Sequence, residues 1–542
     1  PEEGAGFVSG RSALMHDYKL DDVETLPFLL TKYDPVAAKA LLDTLHPENS
    51  LVILMANTLE TDRIEKFYGT EYSLTQIDGD SFDRLRNPPK VEGIAYPAKN
   101  EFIPYGLTLT DEEPHLVWND EIGKVWFKFD NRFKQPKTFL KLRIETPGVY
   151  DTVEHTMLAK LYTAAVNEGL NELVYPIQLA GLSYSLGLEK KGVNLSIGGY
   201  SERISDLLRL VSRNLLEVNI EKEKFENLKE AMVRGLQNNK LGKAYARGGY
   251  YSRLLWLVEQ YNEDEKLEAL RPLTLDQVKA FAKTLYQRVY ITGMAHGNWS
   301  DDKVRASVHT LLDGIKSKPL PEAERFKQGV EVLDAGEDIV FSRQAKDNNN
   351  ALIYGLQIGP HSMDLQAHSS LISSIIESDF YTQMRTNQQL GYIVASFKQR
   401  IEDRLFIKFI IQSAEYGPFE LKRRVEAWLA DTEKLLADLT DEEFERHRDA
   451  LVVSLEKEGD SIGEVMGDFY YAVTEEDEDF RYKTKLIDVV KKLNKGEVLA
   501  ATRKMFLDPQ TARLAVLIRS SENDDPAHEG VFTDVEQFKN RK

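Results

Sequence analysis

Apolar positions along the chain follow a pattern that occurs twice, about 210 residues apart. Residues 139–148 (FLKLRIETPG) and residues 351–360 (ALIYGLQIGP) are both typical of a β-strand that ends at a turn containing proline and glycine. Two further pairs of segments have nearly the same separation, namely residues 180–186 with 389–395 and residues 224–226 with 443–445. The repetition predicts two homologous α+β domains of roughly 200 residues, in which sheet strands alternate with long helices.

The predicted helices of these repeats are amphipathic. In the first repeat, apolar side chains recur at helical spacing, at Ile204, Leu207, Leu208, Val211 and Leu215. Apolar helix faces of this kind normally pack in a core, so we predict packing and not cofactor binding for this stripe.

The region before the repeats contains only part of a hydrophobic core. Residues 51–55 (LVILM) are apolar throughout, which predicts a strand buried on both faces. One such strand with a few helices cannot close a core alone, so we expect the rest of this domain to lie upstream. Residues 86–118 contain five prolines and little periodicity, which predicts an extended linker.

Composition and charge exclude several classes of protein. Among 542 residues, 69 lysines and arginines stand against 88 aspartates and glutamates, and the net charge is −19. We therefore expect a soluble protein, cytoplasmic or periplasmic, that has no nucleic-acid partner. No apolar run of about 18 residues occurs, which predicts no membrane span. The absence of cysteine excludes disulfides, thiol catalysis and cysteine-bound zinc, and the acidic run at residues 475–479 predicts a solvated loop.

Helix-borne zinc hydrolysis needs two histidines on one helical face and a carboxylate as general base. None of the ten histidines fits H-E-x-x-H or its inverted form H-x-x-E-H. In residues 151–155 (DTVEH), Asp151 and His155 are four positions apart and could both reach a metal, with Glu230 as a third ligand. The same residues fit a helix start better, with Asp151 as N-cap and Glu154 completing a capping box. Asp151 and His155 are therefore weak metal candidates.

The second candidate site lies at a predicted turn between a helix and a strand. The helix carries Arg385 and runs into Q-L-G-Y, where Gly391 breaks the helical period and Tyr392 starts the strand. Peptide hydrolysis builds negative charge on the former carbonyl oxygen, so a catalytic site gains from donors aimed at that oxygen. An arginine guanidinium and a tyrosine hydroxyl are suitable donors.

A structural role for these two residues is the alternative. Arg385 would then pair with Glu377 or Asp379 on its own helix, and Tyr392 would pack as an aromatic residue of the strand. From the residues alone, this structural interpretation is favoured.

The motif R-x-x-x-Q-L-G-Y, which runs from Arg385 to Tyr392, resembles the C-terminal half of the insulin-degrading, pitrilysin-like zinc peptidases. Other segments are similar to the same family, among them residues 68–72 (YGTEY), 179–184 (LAGLSY) and 409–413 (FIIQS). The resemblance covers nearly the whole chain, but it is to the half of these enzymes that does not hold the metal.

The resemblance implies a domain organisation. Residues 121–335 and 336–542 would be the third and fourth insulysin-like domains, each an antiparallel-rich sheet packed by long helices. Residues 1–95 would be the end of the preceding domain, and residues 96–120 the hinge linker. The amino-terminal catalytic domains, with H-x-x-E-H and zinc, would be missing from this chain.

The resemblance also implies a function. In that family two bowl-shaped halves close over a peptide, and one half carries zinc. This chain would be the other half, supplying chamber wall and the donors Arg385 and Tyr392, which reverses the preference for a structural role. We expect zinc in the missing half and none bound to this chain, which alone should not hydrolyse peptides.

Two alternatives stay open. The chain could be a natural non-catalytic subunit that partners a zinc-bearing homologue, or a stand-alone peptide-binding protein. The expected partners are accordingly the missing half or a zinc-bearing subunit, together with peptide substrates, and a homodimer is not excluded.

Overall fold

The computed structural model describes residues 4–19, 22–23, 34–56, 58–76, 80–88, 113–522 and 530–541. The chain divides into two compact units, Pro1–Thr108 and Leu109–Lys542, and each is treated by itself. Within the described residues, no helix combines the length and the apolar character needed to cross a bilayer.

The first unit has little regular structure. Its helices and strands are α1 (Gly4–Leu14), α2 (Pro35–Leu42), β1 (Arg63–Ile64), β2 (Glu71–Tyr72) and α3 (Asp80–Arg86). Helix α2 begins at Pro35, because the preceding Asp34 side chain accepts hydrogen bonds from Val36 N and Ala37 N and Pro35 has a backbone suited to the first helical position.

The prediction of a buried strand at residues 51–55 is wrong. The segment has no strand conformation, and its five side chains are 63–89% exposed. Within the described residues of this unit, the only ladder joins β1 to β2, so nothing pairs with the segment or covers it. An apolar run forms a buried strand only when neighbouring strands are present on both sides.

The second unit contains two sheets. The first is built from β3 (His115–Asp120), β4 (Gly123–Phe129), β5 (Lys137–Glu145), β6 (Leu182–Glu189), β7 (Gly192–Tyr200), β8 (Arg288–Gly297) and β9 (Lys318–Pro319). Its strand order is β3-β4-β8-β5-β7-β6, with β9 paired to β8. The helices of this part are α4 (Val153–Leu179), α5 (Ser201–Leu216), α6 (Lys222–Asn239), α7 (Ala244–Trp256), α8 (Glu263–Leu270), α9 (Leu275–Leu285) and α10 (Asp301–Ile315).

The second sheet has the order β10-β14-β11-β13-β12. Its strands are β10 (Asp338–Gln344), β11 (Asn350–Pro360), β12 (Ile393–Ile401), β13 (Arg404–Ser413) and β14 (Ala512–Arg519). The helices of this part are α11 (Met363–Tyr381), α12 (Pro418–Asp438), α13 (Asp441–Glu456), α14 (Ile462–Glu475), α15 (Tyr482–Lys492), α16 (Lys495–Thr502) and α17 (Val535–Lys539). Two π-helical turns, Thr382–Asn387 and Arg503–Leu507, extend α11 and α16.

The two sheets have equivalent topologies, as the repeated pattern predicts. The order β4-β8-β5-β7-β6 in the first matches β10-β14-β11-β13-β12 in the second, and in each the first two of these strands are parallel. The α+β class is therefore confirmed, and the apolar stripe of α5 is buried as expected. Strand β3 lies within the predicted linker 96–120, most of which lies outside the described residues, and the domain boundaries stay a prediction.

One helix of each repeat packs on the sheet of the other repeat. Helix α7, from the first repeat, packs on the second sheet, where the rings of Trp256 and Phe406 lie 4.7 Å apart. Gly248 allows this close approach, because a Cβ at that position would lie 2.6 Å from Cγ1 of Ile353.

Helix α14, from the second repeat, packs on the first sheet in the equivalent way. Met466 is buried in one cluster with Met294 of β8, and the ring of Phe469 lies 5.3 Å from that of His296. Each sheet is thus covered on one face by its own helices and on the other by a helix of its neighbour.

The acidic residues that follow α14, here called the acidic segment (residues 475–479), join the two repeats. Glu475 Oε1 accepts a hydrogen bond from Arg143 Nη2 of the first sheet at 2.6 Å. Glu476 Oε1 accepts one from Arg400 Nη1 of the second sheet, also at 2.6 Å.

Two further carboxylates of the acidic segment are also paired. Glu478 accepts from Lys124 Nζ of β4 at 2.7 Å, and Asp479 from Lys485 Nζ at 2.6 Å. The predicted solvated loop is therefore wrong for most of this segment. Glu475, Glu476 and Glu478 are held by cations that are distant in sequence, which a local charge pattern does not indicate.

Candidate functional site

The turn that carries Arg385 and Tyr392 connects α11 to the edge strand β12. The helix widens into a π-helical turn, in which Gln388 N donates to Gln383 O at 3.0 Å. Leu390 N then donates back to Met384 O at 2.8 Å. The side chains of Met384 and Leu390 are both fully buried, so the turn is anchored in the core while the positions between them stay at the surface.

Backbone geometry restricts which residue types can occupy two positions of the Q-L-G-Y segment, Gln389 and Gly391. Gln389 adopts a left-handed conformation with φ of 51°. At Gly391, an added Cβ would lie 1.8 Å from the carbonyl oxygen of Gln412 on β13, so no side chain can be accommodated. The connection between helix and strand has only residues 180–181 in the first repeat but residues 388–392 in the second. The longer connection is therefore particular to the second repeat.

Arg385 and Tyr392 lie in direct contact. Arg385 Nη1 donates to the backbone carbonyl oxygen of Tyr392 at 2.8 Å, and the guanidinium carbon lies 4.5 Å from the centroid of the Tyr392 ring. The guanidinium also lies 5.2 Å from the ring centroid of Tyr381, which precedes it by one helical turn. Stacking between two rings orients the planar guanidinium and leaves donor N–H groups for a ligand.

In the structural alternative, Arg385 would pair with an acidic residue of its own helix and Tyr392 would pack within the strand. The structure shows neither arrangement. Tyr392 is 77% exposed and so does not pack as a core aromatic residue. Asp379 accepts a hydrogen bond from Trp428 Nε1 at 2.7 Å. Among the described residues, no carboxylate lies within ion-pair distance of Arg385, and the Tyr392 hydroxyl has no hydrogen-bond partner. Apart from its hydrogen bond to the Tyr392 carbonyl, the guanidinium therefore has only the two aromatic rings as partners among the described residues.

Helix α12 supports the turn from behind, through residues that sequence reasoning did not single out for this purpose. Arg424 Nη1 donates to Gln388 Oε1 at 3.2 Å, next to the bond between Trp428 and Asp379. A cavity of about 620 Å³ lies beside these contacts and is lined by residues of α11, of the turn and of α12.

Asp151 and His155 meet as the metal hypothesis requires, but they form a pair and not a larger site. His155 Nδ1 lies 2.8 Å from Asp151 Oδ1, and both side chains are about half exposed. Glu230 does not join them, because it lies 3.3 Å from Arg234 on its own helix. The described residues contain no group of three or more histidine, aspartate or glutamate side chains that could hold a metal. The donor set present here therefore does not fit a zinc site.

The helix start at this point differs by one residue from the prediction. Thr152, and not Asp151, is the N-cap of α4: its side chain accepts from His155 N at 3.0 Å. Asp151 lies one position earlier, where its carboxylate accepts from Thr152 N and faces the His155 ring. Glu154 is the acidic residue of the first turn and closes no capping box.

Comparison with protein families identifies the relatives of this chain. The family model described as the middle or third domain of peptidase M16 matches residues 2–269, and that described as the C-terminal lobe domain 4 of PqqF-like PQQ synthases matches residues 371–470. Human insulin-degrading enzyme is 30% identical over 98% of this chain and 54% of its own length. The A-factor-processing enzyme of Saccharomyces cerevisiae is 26% identical over 92% of this chain and 50% of its own.

Solved structures show the same fold. Pitrilysin superposes on the whole chain with a TM-score of 0.75 and 19% identity, using 59% of its own length. An M16 peptidase inactive domain from Pseudomonas fluorescens covers 77% of this chain, and all of its own, with a TM-score of 0.59 and 15% identity. The chain spans about half the length of the curated relatives that it matches. The family-model match and the identity with human insulin-degrading enzyme show that the chain is an insulysin- and pitrilysin-like M16 protein.

Proposed function

We propose that this chain is the non-metal half of an M16 zinc metalloendopeptidase that degrades peptides in a closed chamber. The zinc of the family, held outside the described residues, would supply activated water. This chain would supply chamber wall and two donors, Arg385 and Tyr392. The observation that supports the proposal is the contact between these two side chains, in which Arg385 donates to the Tyr392 carbonyl while, among the described residues, no carboxylate pairs with the guanidinium and no group bonds to the Tyr392 hydroxyl.

The chemistry assigned to the two residues follows from their types. A peptide carbonyl gains negative charge as it is attacked, and donors that already point at the oxygen stabilise that charge without reorganising. Arg385 is oriented by the rings of Tyr381 and Tyr392. The hydroxyl of Tyr392, the residue that directly precedes β12, is a second donor.

The experiment is reconstitution from two polypeptides. This chain and a separately produced zinc-bearing half are mixed with zinc, and hydrolysis of a fluorogenic peptide is followed. We expect no hydrolysis by this chain alone and restored hydrolysis by the mixture. Arg385→Ala and Tyr392→Phe should each lower kcat/KM by about 10²–10³-fold, the usual effect of removing one transition-state donor.

Arg423→Ala is the matched control, because Arg423 is exposed on α12 and pairs with Glu420. Its activity in the mixture should equal that of the unchanged chain. Chelator-sensitive hydrolysis by this chain alone, or unchanged activity of both Arg385→Ala and Tyr392→Phe, would refute the proposal.

A natural non-catalytic subunit that partners a zinc-bearing homologue is the second candidate. The same mixture separates the two. A zinc half that continues the reading frame upstream supports a divided enzyme, whereas activation only by a separately encoded zinc-bearing homologue supports an obligate partner.

A further inference from the structure

The turn between α11 and β12, residues 382–392, is held by packing on one side and borders a cavity on the other. Met384 and Leu390 are fully buried and fix its inner side in the core. Gln383 and Gln388 line the cavity of about 620 Å³ that extends towards α12. Because empty space makes no packing contacts, the position of the turn on this side depends on polar contacts from α12.

Two hydrogen bonds connect α12 with α11 and the turn. Arg424 Nη1 donates to Gln388 Oε1 at 3.2 Å, and Trp428 Nε1 donates to Asp379 Oδ2 at 2.7 Å. The second bond ends on the regular part of α11, before the π-helical turn begins. The bond from Arg424 ends within the turn itself, shortly after Arg385, and is therefore the one placed to hold the turn.

Arg424 is itself fixed on two sides before it reaches Gln388. Its Nε donates to Glu420 Oε1 at 2.7 Å, one helical turn earlier on α12, and its guanidinium carbon lies 4.5 Å from the ring centroid of Tyr416. Tyr416 N donates in turn to Oγ of the buried Ser413, the last residue of β13, at 3.0 Å. A planar guanidinium that is bonded at one edge and stacked on one face directs its remaining N–H groups along fixed lines.

Gln388 lies where the backbone changes from helix to strand. Its N–H closes the π-helical turn by donating to Gln383 O at 3.0 Å, and the next residue, Gln389, has a left-handed conformation with φ of 51°. A residue other than glycine keeps such a conformation only where surrounding contacts determine it. Holding the Gln388 side chain therefore fixes the direction in which the chain runs from Arg385 to Tyr392.

We infer that Arg424 is a positioning residue for Arg385 and Tyr392 and acts through Gln388. This role rests on the function proposed above and adds to it: α12 keeps the turn in the geometry in which both donors reach the substrate. A donor that stabilises charge developing only in the transition state affects kcat and not ground-state binding. Loss of the contact between Arg424 and Gln388 should therefore lower kcat more than it raises KM.

The test is a double-mutant cycle in the reconstituted mixture, with Arg424→Ala, Gln388→Met and the two combined. Methionine keeps the length of glutamine and removes the acceptor oxygen. Each single substitution should lower kcat about tenfold and change KM less than about threefold. The double variant should be about as slow as the slower single variant, because one contact is lost in all three. Losses that multiply in the double variant, or a change in KM alone, would overturn the positioning role.

Arg423→Ala is the matched control. Arg423 is the neighbouring residue on α12, and its printed side-chain hydrogen bonds end on the same Glu420. Its substitution should leave kcat and KM unchanged. A loss of kcat in Arg423→Ala as large as that in Arg424→Ala would show that charge on α12, and not the contact with Gln388, is what matters.

Arg385→Ala, measured in the same mixture, separates failure of this role from failure of the proposed function. Slow hydrolysis by Arg385→Ala together with full kcat of Arg424→Ala and Gln388→Met would overturn the positioning role and leave the proposed function standing. Unchanged hydrolysis by Arg385→Ala and Tyr392→Phe would refute the proposed function and, with it, this role.

Hydrogen exchange followed by mass spectrometry tests the same contact in the full chain without a zinc-bearing half. In Arg424→Ala and in Gln388→Met, amides in residues 382–392 should exchange about threefold faster or more, while those of β11 keep their protection. If Arg424→Ala loses protection throughout the second sheet, Gln388→Met alone decides. Unchanged exchange of the turn in Gln388→Met would overturn the inference.

Discussion

Arg385 both donates to the main chain of Tyr392 and stacks on its ring, with Nη1 2.8 Å from the carbonyl oxygen and the guanidinium carbon 4.5 Å from the ring centroid. A planar fork can make both contacts at once, whereas a lysine ammonium cannot. Arg385→Lys should therefore lower kcat/KM in the reconstituted mixture by about tenfold or more, although the charge is kept.

The measurement is steady-state hydrolysis with Arg385→Lys, Arg385→Ala and Arg423→Lys side by side. Full activity of the lysine variant would mean that charge alone matters at this position, and that the stacked geometry has no part in it.

Gly391 should be replaceable by no other residue without loss of stability. A Cβ there would lie 1.8 Å from the carbonyl oxygen of Gln412, so Gly391→Ala must displace the turn from β13. We expect the free energy of unfolding to fall by about 1–3 kcal/mol, measured by urea denaturation.

Gly235→Ala is the control for this substitution, because a Cβ at Gly235 on α6 meets no atom within 4 Å. It should be neutral or stabilising, since alanine favours a helix over glycine. Equal stability of Gly391→Ala and the unchanged chain would show that the turn adjusts freely.

The exchange of helices predicts damage at a distance from the mutated repeat. Trp256 belongs to the first repeat but is buried against Phe406 of the second sheet. Trp256→Ala should lower the free energy of unfolding by about 3–5 kcal/mol, and native-state hydrogen exchange should quicken first in β11 and β13.

Trp299→Ala serves as the comparison, because Trp299 is buried in the core of its own repeat. Its loss should quicken exchange in the first sheet. The idea of exchanged helices fails if Trp256→Ala leaves the second sheet protected and affects only the first.

The acidic segment should contribute to stability through its buried contacts and not through its charge alone. Arg143 is only 9% exposed and depends on Glu475, which is itself partly exposed. Glu475→Gln should therefore destabilise the chain by roughly 1–3 kcal/mol, less than for a fully buried pair. Glu458→Gln removes an exposed ion pair to Arg132 of similar length and should change stability little. Thermal unfolding of both variants, at low and high salt, compares them.

His296 should make the chain less stable in mild acid. Burial lowers the pKa of His296 from its usual 6.5, and its neutral ring donates from Nδ1 to the carbonyl oxygen of Lys128 and packs against Phe469. The unfolded chain therefore takes up a proton more readily than the folded one, so stability present above about pH 6.5 is lost as the pH falls through the lower folded pKa. His296→Gln should reduce this slope in urea titrations between about pH 4.5 and 7. His309→Gln, at an exposed position on α10, should leave it unchanged.

Local sequence patterns predicted the parts of this protein that depend on neighbours in sequence. The repeated strands, the amphipathic face of α5 and the turn at Gly391 were all predicted correctly, because periodicity and backbone restriction act over a few residues. The cap of α4 was misplaced by one residue because Asp151 and Thr152 are both good N-caps, and only the backbone decides between them.

Features that depend on distant contacts could not be predicted in this way. The sequence pattern does not indicate that α14 covers the first sheet, where Met466 of the second repeat packs with Met294 of the first. Likewise, a run of carboxylates looks the same whether water or Arg143 and Arg400 surround it. The exposed apolar residues 51–55 show the opposite case, in which a clear strand pattern lacks the neighbours that it needs.

The crossing of α7 and α14 makes the two repeats behave as an intertwined dimer whose members share one backbone. Neither half could be produced as a separate soluble piece without baring the sheet face that its neighbour's helix shields. A protease cut between β9 and β10 would accordingly leave two fragments that remain associated until denaturant separates them.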